Sequence, residues 1–202
     1  MKLQPVERAP GAFQQSLTPP QIEAVCRRAL GLEAVAAVEL GLGGYNSVYR
    51  VDLRGRDEPV ILRAAPEEAA QFGSERHLMR NEYATLPWLA TIAPLLPRVL
   101  AVDWSHEVIN RDWMIQTCLP GIPAPKHLDT YPRSGRTTFF RQLGTITRAV
   151  HAVRGPTSAE STARTINCLL AATLRLERHR LNNPQAVQST YPEMAKLLTQ
   201  LD

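Results

Sequence analysis

Four consecutive positions, Gly41-Leu42-Gly43-Gly44, limit what this chain can fold into, because of what stands on either side of them. Before them runs Ala34 to Leu40, an apolar stretch rich in Val. After them the period becomes two: Tyr49, Val51 and Leu53 alternate with Arg50, Asp52 and Arg54, which is strand patterning. Glycines let a backbone come close to an anion with no Cβ in the way, and successive N–H groups can face it. A Rossmann fingerprint would need a helix after the glycines and a third glycine, and position 46 is Asn. A P-loop would need Gly-Lys-Ser/Thr, which the segment lacks. Two readings stay open for a glycine loop between strands: an ordinary hairpin turn, or a flap over phosphate groups.

The rest of the chain supplies a context. Residues 1–17 read as a loose arm. Thr18 followed by Pro19-Pro20 marks a helix start, and Gly31 marks its end. Gly55-Arg56-Asp57 is a turn, and Pro59 to Arg63 is a further strand. Residues 74–90 read as a helix broken near Pro87. Arg98 to Asp103 and Asp112 to Leu119 read as strands joined by a polar stretch. Beyond Pro120-Gly121 the period is helical, with helices expected near 134–154, 158–181 and 191–201. The expected organisation is a flexible arm over 1–17, a small mixed lobe over 18–121, and a helical segment over 122–202.

Composition narrows the function classes. With 202 residues, 44% hydrophobic and 21% charged, the chain reads as a soluble globular protein. Its net charge of +4 comes from Lys and Arg spread along the sequence, with no basic stripe for nucleic acid. Such a surface suits small anionic ligands. The three cysteines, Cys26, Cys118 and Cys168, are far apart and lack metal-type spacing, which fits reduced thiols and a cytoplasmic setting. No 18-residue apolar run suggests a membrane span, and the N-terminus has no signal-peptide pattern.

Two charged residues stand out. Leu78, Glu82 and Leu86 fall on one helical face, and Leu89 continues the stripe. A glutamate within an apolar stripe is costly unless it is paired. The nearest basic residue in this order of elements is Arg63, at the end of its strand; the alternative is a Glu82 solvated at the rim. The strand Trp113–Leu119 then runs out into Pro120-Gly121. It offers either an apolar slot with a free backbone edge or a simple core strand ending in a turn.

In order and spacing these parts resemble the aminoglycoside phosphotransferase (APH) family, whose fold is similar to that of protein kinases. Leu40–Val51 resembles its glycine loop, and Val60-Ile61-Leu62-Arg63 its third strand. Glu82 matches the helix glutamate, and Met114–Gly121 the linker between lobes. Leu143 to His151 resembles the long second-lobe helix that ends in a histidine. The resemblance covers roughly residues 25–155. It implies an α+β, protein-kinase-like fold: an N-terminal lobe of about five antiparallel strands with a helix, then an incomplete helical C-terminal lobe. It also implies ATP as the nucleotide, with magnesium, and transfer of the γ-phosphate to a hydroxyl of a small molecule such as an aminoglycoside, homoserine or choline. The nucleotide-binding positions it implies are Gly43, Gly44, Asn46, Ser47, Val48, Arg63, Glu82, and the backbone of Gln116 and Cys118. Arg63 departs from the lysine usual in protein kinases, although its planar fork suits both carboxylate and phosphate.

The family's chemistry rests on a His-Gly-Asp segment, an asparagine shortly after it, and a further aspartate for metal. No His-Gly-Asp occurs in this sequence. His127-Leu128-Asp129 precedes the long helix instead of following it, and Ser134 stands where the metal asparagine would fall. Asn182-Asn183 have no aspartate ahead of them at suitable spacing. The chain is therefore expected to be C-terminally truncated and inactive by itself. The alternatives are a non-catalytic nucleotide-binding or interaction module, or a helical scaffold with a small sheet. Helix faces such as Leu169, Leu170, Leu174 and Leu181 would be partly uncovered, which favours self-association. His151 fits a helix C-terminus, and His77, His106 and His179 fit the surface.

Overall fold

The computed structural model describes residues 1–8, 14–41, 44–71, 76–121, 128–130 and 132–153. The expected helices over 158–181 and 191–201 lie outside these residues. Met1–Val153 forms one compact unit. Its centre is a six-stranded sheet in the order β1-β2-β3-β4-β6-β5. The strands are β1 (Lys2–Gln4), β2 (Ala34–Glu39), β3 (Ser47–Leu53), β4 (Val60–Ala64), β5 (Val99–Asp103) and β6 (Trp113–Thr117). The neighbours from β2 to β5 are antiparallel, and the α+β class is as expected.

The strand β1 lies within the expected arm over 1–17. Lys2–Gln4 pairs in parallel with Ala36–Val38, and Leu17 is 1% exposed. The described residues of 1–17 make backbone pairs and single polar contacts with residues more than twenty positions away, which no local period announces.

Helix α1 (Pro19–Leu30) starts as its sequence dictates. Pro19 and Pro20 occupy the first turn, and the Thr18 N–H donates to Gln21 Oε1 at 2.8 Å. Gly31 ends it at φ 68°, its N–H bonded to the Arg27 carbonyl at 3.0 Å. Ile22, Val25 and Cys26, one turn of the apolar face, lie in the core together with one face of the sheet. That face carries Tyr49, Val51, Leu53, Val60, Leu62, Trp113 and Ile115, none more than 4% exposed. Burial pushes the Cys26 thiol up to about 11, so it behaves as a small apolar side chain.

The other face of the sheet meets α2 (Leu78–Thr85), where Met79 packs with Met114 and Ala65. The α-helix stops at Thr85 because Pro87 has no N–H to continue it. The Leu86 N–H instead bonds the Tyr83 carbonyl, and a 3-10 segment runs over Leu86–Leu95. Helix α3 (Arg133–His151) contacts that segment, and the exposed His151 lies in its last turn.

Candidate functional site

Side chains alternate faces along a strand, so register decides which residues meet. Val48 lies opposite Arg63, and Arg63 opposite Met114. One step along, Arg50 lies opposite Ile61 and Ile61 opposite Gln116. These residues share the face turned away from α1. Val48, Ile61, Arg63 and Gln116 are half-buried there, in contrast to the sealed core face.

Glu82 comes to this face from α2. Arg63 Nη1 donates to Glu82 Oε1 at 2.5 Å and Nη2 to Oε2 at 2.8 Å. The side chains are 13% and 18% exposed, so the pair is a bidentate ion pair with one side still open to solvent. The pair resolves the open question about Glu82: it is paired, not solvated at a rim. Thr85 Oγ1 donates to the Glu82 carbonyl at 2.8 Å.

The glycine loop leaves the end of β2 and enters β3. Its base is closed by the Leu40 N–H bonded to the Val48 carbonyl at 2.7 Å. Gly43 lies outside the described residues. Gly44 is exposed, with no atom within 4 Å of where a Cβ would stand. The Asn46 carbonyl accepts from Gln14 Nε2 at 2.8 Å, and its Oδ1 is enclosed with no hydrogen-bond partner. Ser47 is 2% exposed and points to the opposite face, where its hydroxyl donates to the Gln15 carbonyl at 2.8 Å. Its side chain is therefore committed to the arm, while its backbone stays at the loop. At the far end of the face, β6 ends at Thr117, and the half-buried Cys118 follows immediately.

Two further polar clusters stand near the site, one beside this face and one on the α1 side, where Glu39 lies opposite Tyr49. In the first, Asp112, just before β6, receives Arg80 Nε and Nη2, each at 2.8 Å, and lies 2.9 Å from His106 Nε2. Burial works to raise the Asp112 carboxyl, but the bonds from Arg80 and His106 outweigh it and hold it below its ordinary value. His106 is thus a partner of a buried carboxylate and not a plain surface histidine. Residue separations of six and 32 leave no periodic trace. The second cluster surrounds Glu39, whose side chain is fully buried. Its signal was available: an acid at the end of the apolar run Ala34–Leu40 calls for partners.

Among the described residues, no group of three His, Cys, Asp or Glu side chains is placed to hold a metal ion. Likewise, no described helix is long and apolar enough to cross a membrane. The face thus presents the Arg63–Glu82 pair beside Val48 at the start of β3, with the half-buried Ile61 opposite Gln116.

The model of the phosphotransferase enzyme family, APH, matches residues 37–202. Among solved structures, the chain is similar to a protein of Ralstonia eutropha JMP134 provisionally designated an aminoglycoside phosphotransferase. Identity is 20% and the TM-score 0.47, over 66% of this chain and 37% of that one. It is also similar to a protein of Thermobifida fusca YX-ER1 provisionally designated a fructosamine-3-kinase. There the identity is 25% and the TM-score 0.37, over 52% of this chain and 34% of that one. The chain thus spans little more than a third of the length of those two proteins. No curated protein matches it.

Proposed function

Because the chain belongs to the phosphotransferase enzyme family, we propose that the open face of its sheet binds ATP for a small-molecule phosphotransferase reaction. The Arg63–Glu82 pair carries this reading. It is a bidentate pair opposite Val48 at the glycine-loop root and on the same face as Gln116 before the linker. In this reading Arg63 contacts the α and β phosphates while Glu82 holds its fork in place. The loop from Gly43 to Val48 covers the phosphates with backbone N–H groups, and the adenine lies against Val48 and Ile61 near the backbone of Gln116 and Cys118. Magnesium carried by the nucleotide would neutralise phosphate charge there.

The reaction the family suggests moves the γ-phosphate of ATP to a hydroxyl of a small molecule. The base that orients such a hydroxyl belongs to a His-Gly-Asp segment, which this sequence does not contain. The chain alone is therefore proposed to bind nucleotide without transferring phosphate.

Calorimetric titration with ATP and magnesium tests the reading. Arg63→Ala and Glu82→Ala should each weaken binding. Unchanged affinity in both variants would remove the clamp, and magnesium-dependent phosphoryl transfer by the purified chain would overturn the binding-only part.

A further inference from the structure

The glycine loop has two roots, Glu39 at the end of β2 and Ser47 at the start of β3. The N-terminal arm is bonded to both. At the first root, the Glu39 carboxylate takes the Val6 N–H at 3.0 Å and the Ser16 hydroxyl at 2.8 Å on Oε2. Arg8 Nη1 stands 2.8 Å from Oε1, and the Tyr49 hydroxyl donates to the same oxygen at 3.1 Å. At the second root, Ser47 Oγ donates to the Gln15 carbonyl and Gln14 Nε2 to the Asn46 carbonyl, both at 2.8 Å. The Leu17 N–H bonds the Tyr49 hydroxyl at 2.6 Å. Val6 also packs on the loop's first glycine: a Cβ on Gly41 would stand 3.3 Å from a Val6 methyl.

A fully buried carboxylate is costly unless its donors stay in place. Among the described residues, three of the four donors to Glu39 belong to the arm: Val6, Arg8 and Ser16. Withdrawal of the arm would leave Glu39 with Tyr49 as its partner among the described residues, and the carboxylate would have to turn toward water. That movement displaces the residue from which the loop springs. Arm docking and loop placement are therefore one equilibrium, and a ligand that favours one arrangement must favour the other to the same extent.

We infer that the N-terminal arm is a strap that sets the position of the glycine loop, with Glu39 as the positioning residue at its buckle. Its consequence for nucleotide affinity rests on the ATP-binding reading above. The strap makes a distant segment part of the nucleotide site without touching the nucleotide.

Hydrogen exchange followed by mass spectrometry on the whole chain, with and without ATP and magnesium, tests the strap. The variants are Glu39→Gln and the double variant Arg8→Ala/Ser16→Ala. The double variant keeps the Val6 and Tyr49 bonds, so the test survives if Glu39→Gln fails to fold. Both should speed exchange in the peptide spanning residues 40–50 by about tenfold or more, while peptides covering β4 and β6 exchange as in the parent. Both should also weaken ATP binding by about fivefold. Unchanged exchange over 40–50 in the folded variants overturns the strap, whatever happens to ATP. Faster exchange with unchanged ATP affinity, while Arg63→Ala still loses binding, overturns the link to nucleotide. A parent chain that binds no ATP overturns the clamp reading and that link together, and the exchange result still decides the strap.

Discussion

The two faces of the sheet are built from alternate residues of the same strands, yet they answer to different constraints. On the α1 side, Tyr49, Leu62 and Ile115 lie opposite one another and are fully enclosed. On the α2 side, one position along each strand, Val48, Arg63 and Met114 lie opposite one another, and the first two remain partly open. The sealed face gains stability from apolar area removed from water. The open face spends part of its area on a charged pair that hydrophobic burial alone would not select. The period of two ties the faces together, because a slip of one residue would exchange core and site.

The largest effect should come from the sealed face. Leu62→Ala removes a fully buried side chain and should lower unfolding stability by about 3 kcal/mol in urea melts. Nucleotide affinity per folded molecule should stay close to the parent's. On the open face the balance should reverse. Arg63→Ala should weaken ATP binding by roughly ten- to a hundredfold, with a stability loss of only about 1–2 kcal/mol. Arg63→Lys should recover part of the binding, since it keeps the charge and loses the fork. Equal effects of Leu62→Ala and Arg63→Ala on both readouts would erase the distinction between the faces.

A smaller effect should appear with pH. Burial works to raise the Glu39 carboxyl, but the Val6 N–H, the Ser16 hydroxyl and Arg8 outweigh it, and its value ends below the ordinary 4.5. Asp112, facing Arg80 and His106, ends below the ordinary 3.8. A carboxylate depressed by folding contributes stability that is complete above its unfolded value and is lost as pH falls through the lowered folded one. The urea midpoint should therefore fall as pH drops from about 5 to about 3. The drop should be shallower in Glu39→Gln, which has no proton to take up at that site. An equal drop in that variant would show that the buried carboxylate does not report on the strap.

The smallest effect is a protection. Cys26 is fully buried on the sealed side, while Cys118 is half-buried beside the open face. Iodoacetamide should modify Cys118 in the folded chain and leave Cys26 intact. Saturating ATP should slow the Cys118 reaction by about threefold or more. A Cys118 rate unaffected by nucleotide would move the adenine away from the linker.

Much of this contrast was legible in the sequence. The alternation from Tyr49 to Leu53 separates the faces by itself, and Thr18-Pro19-Pro20 with Gly31 bounds α1. Glu82, an acid in an apolar stripe, pointed to Arg63 because burial penalises an unpaired charge. The arm was not legible. Its strand is too short to show a period, and its ties join Val6 to Glu39 and Leu17 to Tyr49 across more than thirty residues. The Arg80–Asp112–His106 cluster failed to show for the same reason, since it depends on where α2 lands on the sheet. A tertiary contact could be anticipated where one partner's own pattern marked it, as with Glu82, and not where neither partner carried a local mark.

Amide NMR of the chain during titration with ATP and magnesium tests the central claim most directly. The account predicts saturable shifts at Asn46 to Val48, Arg63, and Gln116 to Cys118, with Ile22, Val25 and Cys26 of α1 unmoved. In Arg63→Ala the same additions should produce far smaller changes. Shifts gathered on the α1 side, or an identical response in Arg63→Ala, would contradict the assignment of the open face as the nucleotide site.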